Sequence, residues 1–185
     1  FVAIMDADDI SAKHRFMEQI KCFENTNIDC VGGVIEEFQD TPGDLKRLRR
    51  VPLHHQRILD LGRWRYPLNH VTIMFRLRAY LKAGGYSSMQ SLEDYDLFHR
   101  LLISGARFLN IDSTLVLVRT GDKLIQRRRG LSYLKEEFLL LNRMRKSNYL
   151  RAYHWFLCAF FRAILRTLPG FLVAFIYRFL RAPRS

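Results

Sequence analysis

Short apolar runs alternate with segments of helical periodicity through residue 122 of this 185-residue chain, and this alternation limits the possible folds more than any other feature. The strand-like runs are residues 1–5, 29–38, 71–75 and 115–118. Helical spacing is found in residues 12–25, 53–62 and 76–83 and from Glu93 onward. Alternating strands and helices predict an α/β domain. Because the chain opens on Phe1 inside an apolar run, we expect it to be a fragment that lacks its N-terminal part.

The charge of the chain is unevenly distributed. Residues 1–122 contain 16 Lys and Arg against 16 Asp and Glu, whereas residues 123–185 contain 14 against 2, so all of the net charge of +12 lies in the second segment. We therefore divide the chain into a domain at 1–122 and a basic, amphipathic helical tail at 123–185. Basic segments bind phosphate-rich surfaces, which belong either to nucleic acid or to anionic membranes.

Aromatic residues interleaved with the basic ones favour a membrane over nucleic acid as the partner of the tail. We expect residues 149–181 to bind an anionic membrane surface and expect no nucleic-acid partner. The longest uncharged run, Thr167 to Tyr177, is too short to span a bilayer, so the protein would lie at the interface. A helical pair packed on the domain or on a partner subunit is the alternative. Three cysteines without metal-ligand spacing favour a reducing compartment, hence the cytoplasmic face of the cell membrane.

Three carboxylates follow the first apolar run. Asp6, Asp8 and Asp9 lie within four positions, and their mutual repulsion is relieved most simply by Mg²⁺ or Mn²⁺, which prefer oxygen ligands. A solvated acidic turn is the alternative. Ser11 is the expected N-cap of the helix that follows.

A second acidic cluster follows a glycine-containing loop. Glu93 and Asp94, with Asp96 close behind, open a segment of helical spacing. A carboxylate at a helix start that faces a cleft can accept a proton from an attacking hydroxyl group. Acidic residues also favour helix N-termini because of the helix dipole alone, so both interpretations stay open for this cluster taken by itself.

Taken together, the two clusters resemble the family 2 glycosyltransferases of the GT-A fold. The matching residues are Asp6-Ala7-Asp8-Asp9 after a strand, then Gly84-Gly85-Tyr86 and Glu93-Asp94 later in the chain. The likeness covers nearly the whole chain and is strongest with bacterial capsule and exopolysaccharide enzymes of the amylovoran type. It implies an α/β, Rossmann-like mixed-sheet domain that lacks its N-terminal nucleotide-binding half and is followed by C-terminal amphipathic helices.

The resemblance also implies roles for individual residues. Asp6 and Asp8 correspond to the DxD pair that binds the metal, and Asp9 joins them in binding the donor, expected to be a UDP-sugar. Asp94 corresponds to the catalytic base, and Glu93 orients the base or the acceptor. The acceptor, a glycan or a lipid-linked sugar, would be contacted by His70, Thr72, Gly85 and Tyr86. Transfer would be metal-dependent and would invert the anomeric configuration.

Two other functions remain open at this stage. Phosphatases of the haloacid-dehalogenase type also place Asp-x-Asp after an apolar strand, with the first Asp as the nucleophile. A basic membrane-binding module without catalysis would explain the tail, but it leaves both acidic clusters of residues 1–122 without a purpose.

Overall fold

The computed structural model describes residues 1–24, 27–120 and 131–167 of the chain, which divides into two compact units, Phe1–Gly121 and Asp122–Ser185. The first unit alternates strands and helices. In chain order its elements are β1 (Val2–Ala3), β2 (Ile10–Ser11), α1 (Arg15–Glu24), β3 (Cys30–Phe38), β4 (Arg47–Arg49), α2 (His55–Gly62), a 3₁₀ turn (His70–Thr72), β5 (Met74–Phe75), α3 (Leu77–Lys82), α4 (Glu93–Ile103) and β6 (Phe108–Arg119).

The strands form one mixed sheet in the order β1-β5-β3-β6-β2, with β4 paired to β3. β3 and β6 are parallel, and the other pairs are antiparallel. β6 pairs with β3 along its whole length, so β5 and β4 both lie on the other side of β3. There β5 pairs with Cys30 and Val31, and β4 pairs further along at Ile35–Glu37. This arrangement confirms the expected α/β class with a mixed sheet.

β3 is the centre of the core. Its residues are buried almost without interruption, as expected for a strand covered on both faces. Val31, Ile35 and Phe38 are at most 1% exposed. A Cβ atom on Gly33 would lie 2.7 Å from Leu115 Cδ1 of β6, so this position accepts only glycine without repacking. The side chains that come closest to Gly32 and Gly33 of β3 are therefore Asn110 and Leu115 of β6.

Three local expectations change in the structure. Ser11 is not a helix cap but part of β2, where it pairs with Val116 of β6, and α1 begins only at Arg15. Residues 71–75 form a 3₁₀ turn followed by the two-residue strand β5 instead of one longer strand. Residues 39–52, for which neither a strand nor a helix is predicted, contain β4, which pairs with β3. In each case strand pairing between segments distant in the chain decides the outcome.

The second unit contains two helices in its described part, α5 (Leu131–Lys146) and α6 (Ala152–Thr167). Leu140, Leu141, Met144 and Leu150 of this unit are fully buried, and Trp155 Nε1 of α6 donates to Asn142 Oδ1 of α5 at 2.9 Å. These contacts make the helices one packed pair.

One face of α6 is apolar and exposed. Its exposed large side chains are Tyr153, Phe156, Phe160, Phe161 and Ile164, which are 40–62% accessible to solvent. We call these five residues the aromatic face. Among the described residues, no helix has both the length and the apolarity needed to cross a membrane. The apolar run at 171–177 lies outside the described residues.

Candidate active site

The first acidic cluster lies on the connection between the two edge strands of the sheet. Residues 4–9, which we call the acidic loop, link β1 at one edge to β2 at the other, beginning at the carboxyl end of β1. Asp9 Oδ1 accepts a hydrogen bond from the backbone N–H of Arg119, the last residue of β6, at 3.0 Å. Carboxyl ends of strands are the usual place for ligand sites in α/β sheets.

The three carboxylates of the acidic loop differ in exposure. Asp6 and Asp8 are exposed, whereas Asp9 is partly buried. Burial raises the pKa of Asp9, and the charges of Asp6 and Asp8 raise it further, against the opposing backbone hydrogen bond from Arg119. Asp9 Oδ2 is buried and has no hydrogen-bond partner among the described residues. The loop therefore concentrates negative charge that its protein surroundings leave only partly compensated.

A short turn carries His70 between two tyrosine hydroxyl groups. His70 Nδ1 lies 3.0 Å from the Tyr66 hydroxyl oxygen, and His70 Nε2 lies 2.9 Å from that of Tyr86. Burial lowers the pKa of His70, although the charges of Asp94 and Asp6 act in the opposite direction. A neutral imidazole has one donor and one acceptor nitrogen, so one tyrosine donates to the ring and the other accepts from it.

The charges of both acidic clusters contribute to the pKa values of the same two side chains, His70 and Tyr86. Burial raises the pKa of Tyr86 to about 12, and the charges that contribute to this rise include those of Asp94, Glu93 and Asp6. Asp94 and Asp6 also act together on His70. Asp6 of the acidic loop and Asp94 of α4 are therefore both close enough to His70 and Tyr86 for their charges to contribute to these pKa values.

A small pocket extends from this region into the core. Ile4 of the acidic loop, Asp94 of α4 and His70 are among its lining residues. Most of the remaining lining is apolar or aromatic and includes Tyr66 and Phe98. Burial, followed by the charge of Asp94, raises the pKa of Tyr66, which keeps this phenol protonated.

Buried hydrogen bonds fix the turn that presents His70, residues 69–73, which we call the histidine turn. Thr72 is fully buried, and its hydroxyl group donates to the Asn69 carbonyl oxygen at 2.7 Å and accepts from the Gly33 N–H at 3.0 Å. The Asn69 side chain donates to the Gly33 carbonyl oxygen at 2.8 Å. Thr72 is therefore buried beneath the surface, where it anchors the histidine turn to β3.

A second anchor holds the segment that carries Gly85 and Tyr86. Arg100 Nε of α4 donates to the fully buried Asp96 at 2.8 Å. Arg100 Nη1 reaches the carbonyl oxygens of Ala83, at 2.6 Å, and of Gly85. Gly84 and Gly85 have φ values of 80° and 64°, a region that glycine adopts without strain. We call residues 83–86 the glycine turn.

The structure thus brings together five of the nine site residues expected from sequence: Asp6, His70, Tyr86, Glu93 and Asp94. Gly85 lies in the glycine turn beside them, and Thr72 lies behind them. Asp8 and Asp9 lie on the acidic loop, where the charge of Asp8 raises the pKa of Asp9. Sequence reasoning missed Tyr66 and Arg100. A spacing of four residues in a helix, as between Asp96 and Arg100, was an available signal for an ion pair.

The acidic loop fits a divalent cation only if the bound substrate supplies part of the coordination. No group of three or more His, Cys, Asp or Glu side chains among the described residues is placed to hold a metal ion by itself. Two exposed carboxylates and the buried, unpartnered Asp9 Oδ2 are hard oxygen ligands, which suit Mg²⁺ or Mn²⁺. Mg²⁺ is commonly held by one or two carboxylates together with substrate phosphates.

Fold and site together define an α/β domain with a mixed sheet and a small pocket that Asp94, His70 and Ile4 of the acidic loop help to line. No protein-family model matches the chain. The chain is 31% identical over 180 residues to the amylovoran biosynthesis glycosyltransferase AmsE of Erwinia amylovora, an alignment that covers 95% of this chain and 66% of the relative. It is 35% identical over 137 residues to an uncharacterized glycosyltransferase of Haemophilus influenzae, covering 74% and 51%.

A third relative has a more specific name. The UDP-Gal:α-D-GlcNAc-diphosphoundecaprenol β-1,3-galactosyltransferase of Escherichia coli is 30% identical over 175 residues, covering 94% of this chain and 63% of the relative. The chain is therefore a homologue of bacterial glycosyltransferases, and it spans half to two thirds of the length of these curated relatives. The comparisons favour neither a phosphatase nor a membrane-binding module without catalysis.

Proposed function

We propose that the protein transfers a sugar from a nucleotide-sugar donor to a glycan or lipid-linked acceptor during assembly of a bacterial surface polysaccharide. The observation that carries this proposal is that Asp94, His70 and Ile4 of the acidic loop line one pocket, with the Tyr86 hydroxyl group 2.9 Å from His70 Nε2. The charges of Asp6 and Asp94 both contribute to the pKa values of His70 and Tyr86, which agrees with this placement. A transferase needs a donor-binding acid and a proton-accepting acid on opposite sides of one cleft. The names of the relatives support the same activity.

In the proposed mechanism Asp94 is the general base. Its carboxylate takes the proton of the acceptor hydroxyl group as that oxygen attacks the anomeric carbon of the donor sugar. The bond from that carbon to the phosphate oxygen breaks, and its electron pair leaves with the nucleoside diphosphate. One displacement inverts the anomeric configuration and needs no covalent intermediate. This chemistry is that of a family 2 enzyme with the GT-A fold.

Asp6 and Asp8 are the proposed ligands of Mg²⁺ or Mn²⁺, with Asp9 beside them. When bound, the ion neutralises charge on the diphosphate leaving group. On the acceptor side, His70 and Tyr86 offer hydrogen bonds to sugar hydroxyl groups, Gly85 shapes the glycine turn, and Glu93 orients the acceptor or Asp94. Thr72 contributes indirectly, because its buried hydroxyl group holds the histidine turn.

Incubation of the full-length protein with radiolabelled UDP-sugars tests this proposal. The acceptor is a synthetic lipid diphosphate that carries one sugar, and the reactions contain Mn²⁺. We expect a product longer by one sugar, with inverted configuration at the new linkage, and loss of transfer in EDTA. Cleavage of a generic phosphate ester without any sugar transfer would contradict the proposal. A product with retained configuration would contradict the single-displacement mechanism.

We also propose that the protein is peripheral at the cytoplasmic face of the cell membrane. The aromatic face of α6 supports this, because apolar side chains on one face of a helix sink into the interfacial region of a bilayer. The excess of basic residues in 123–185 would add attraction to anionic lipid. A lipid-linked acceptor would then be reached at the surface on which the enzyme lies.

A further inference from the structure

A fully buried arginine lies directly behind the acidic loop. Arg15, the first residue of α1, is 0% exposed. Its guanidinium group donates to the Ile4 carbonyl oxygen at 2.7 Å, to Met5 Sδ at 3.3 Å and to Gln19 Oε1 at 3.1 Å. No described carboxylate forms an ion pair with it, and burial lowers its pKa. A buried charge without an acidic partner is costly to the fold.

Gln19 extends this contact to the histidine turn. It lies one turn further along α1 and is also fully buried. Its Nε2 atom donates to the carbonyl oxygens of Thr72 and Val31, both at 2.8 Å. Ile4 belongs to the acidic loop and Thr72 to the histidine turn. A chain of hydrogen bonds from Ile4 through Arg15 and Gln19 to Thr72 therefore joins the two segments that carry Asp6 and His70, in addition to the direct bond from the Ile4 N–H to the Ile73 carbonyl oxygen at 2.9 Å.

We propose that Arg15 and Gln19 are positioning residues that hold the acidic loop at a fixed distance from the histidine turn. This inference rests on the proposed function, because that distance matters only if Asp6 and His70 serve one reaction. A guanidinium group makes several hydrogen bonds in a fixed plane, whereas an ammonium group is a point charge without that geometry. The planar guanidinium group of Arg15 can thus restrain the two residues that precede Asp6, because it bonds the carbonyl oxygen of Ile4 and the sulfur of Met5.

Arg76 offers a matched control on the other end of α1. Its guanidinium group donates to two backbone carbonyl oxygens, those of Ile28 at 2.9 Å and Phe23 at 2.7 Å, as that of Arg15 donates to the carbonyl oxygen of Ile4. Neither carbonyl belongs to the acidic loop or the histidine turn. Replacing Arg76 by lysine therefore removes comparable hydrogen bonds to the backbone without touching the link between these two segments.

The test compares Arg15→Lys, Gln19→Met and Arg76→Lys in the whole protein. Hydrogen exchange is followed in peptides that cover residues 4–9 and 69–73, together with Tm, kcat, donor KM and the Mn²⁺ concentration for half-maximal activity. We expect all three variants to lose some thermal stability. Only the Arg15 and Gln19 variants should exchange faster in both peptides, with donor KM and the Mn²⁺ requirement raised about tenfold or more and kcat less affected.

Two results would overturn the inference. One is an unchanged rate of hydrogen exchange in both peptides of Gln19→Met. This variant leaves the charge of Arg15 in place, so the inference can still be tested if Arg15→Lys does not fold. The other is an equal effect of Arg76→Lys on donor KM. If both peptides loosen as expected but the parent protein transfers no sugar, the link between the segments stands and the proposed function fails instead.

Discussion

Asp94 is the residue on which the proposed chemistry depends most directly. We expect Asp94→Asn to lower kcat about 10³-fold, because an amide cannot accept the acceptor proton. Donor binding in the presence of Mn²⁺ should persist, since the acidic loop is untouched. Initial rates and equilibrium binding of the donor measure the two effects separately. Asp112→Asn, at an exposed carboxylate of β6, is the control. Equal loss of donor binding and turnover would show that Asp94 is structural.

Asp9 provides a prediction on stability at the same scale. Its pKa is raised from the ordinary value of 3.8, chiefly by burial, so its ionised form is disfavoured in the folded state. The stability linked to this group is fully present below 3.8 and is lost as the pH rises through the higher pKa of the folded state. Asp9→Asn should therefore raise Tm at pH 7, and the gain should shrink as the pH falls towards 3.8.

The Asn side chain can keep the hydrogen bond that Asp9 accepts from the Arg119 backbone, which makes the comparison a test of charge alone. Thermal unfolding of the metal-free protein across this pH range checks the prediction. Addition of Mn²⁺ at pH 7 should stabilise the parent protein more than the Asn variant. A lower Tm for Asp9→Asn at pH 7 would mean that the ionised carboxylate of Asp9 stabilises the folded state, which contradicts the prediction.

At the scale of elements, α4 does two tasks. Its first turn contains Glu93, Asp94 and Asp96, of which Asp94 lines the pocket, and Arg100, one turn further on, pairs with Asp96 and anchors the glycine turn. The acidic first turn therefore has a structural part and a proposed chemical part. Periodicity predicts the helix and its start, but a buried ion pair is recognised only from the packing around it.

We expect Arg100→Lys to raise the acceptor KM about tenfold and to leave donor KM unchanged, because a lysine cannot bond Asp96 and two carbonyl oxygens in one plane. Steady-state kinetics with each substrate varied in turn measures this. Arg63→Lys, which perturbs the exposed pair with Asp60 on the surface, is the matched control. A change in donor KM as large as that in acceptor KM would remove the assignment of the glycine turn to the acceptor side.

At the scale of the whole molecule, the net charge is unevenly divided along the chain. Residues 1–122 have no net charge and carry both acidic clusters, whereas the excess of basic residues and the aromatic face belong to residues 123–185. This division suits the proposed location at a membrane surface, because acidic clusters and an anionic membrane repel each other.

Membrane binding is predicted to depend on both lipid charge and the aromatic face. The protein should co-sediment with vesicles that contain anionic phosphatidylglycerol and less with neutral phosphatidylcholine vesicles. Phe156→Ser together with Phe160→Ser should weaken binding at least about tenfold, because each buried phenylalanine contributes about 1.5–3 kcal/mol. Leu139→Ser, on α5, should bind like the parent. Binding that vanishes in moderate salt would show that charge alone holds the protein to the surface.

Local sequence determined the helices and β3, but of β6 (Phe108–Arg119) only residues 115–118 were predicted. β3 follows from the strand-like run at 29–38, α4 from the acidic start and helical spacing at Glu93, and the packed helices of the second unit from their periodicity. The two acidic clusters were also visible, because like charges this close in sequence need an explanation in any fold.

Only the tertiary structure decided how these parts meet. β1 pairs with β5, which is distant in sequence, and this pairing places Asp6 near His70 and Asp94. Pairing with β6 makes Ser11 a strand residue, although its local surroundings suggest a cap. Arg15 carries a charge yet is wholly buried, because the Ile4 carbonyl oxygen, Met5 Sδ and Gln19 Oε1 accept its hydrogen bonds. Short-range periodicity is encoded residue by residue, whereas these contacts exist only after the chain closes on itself.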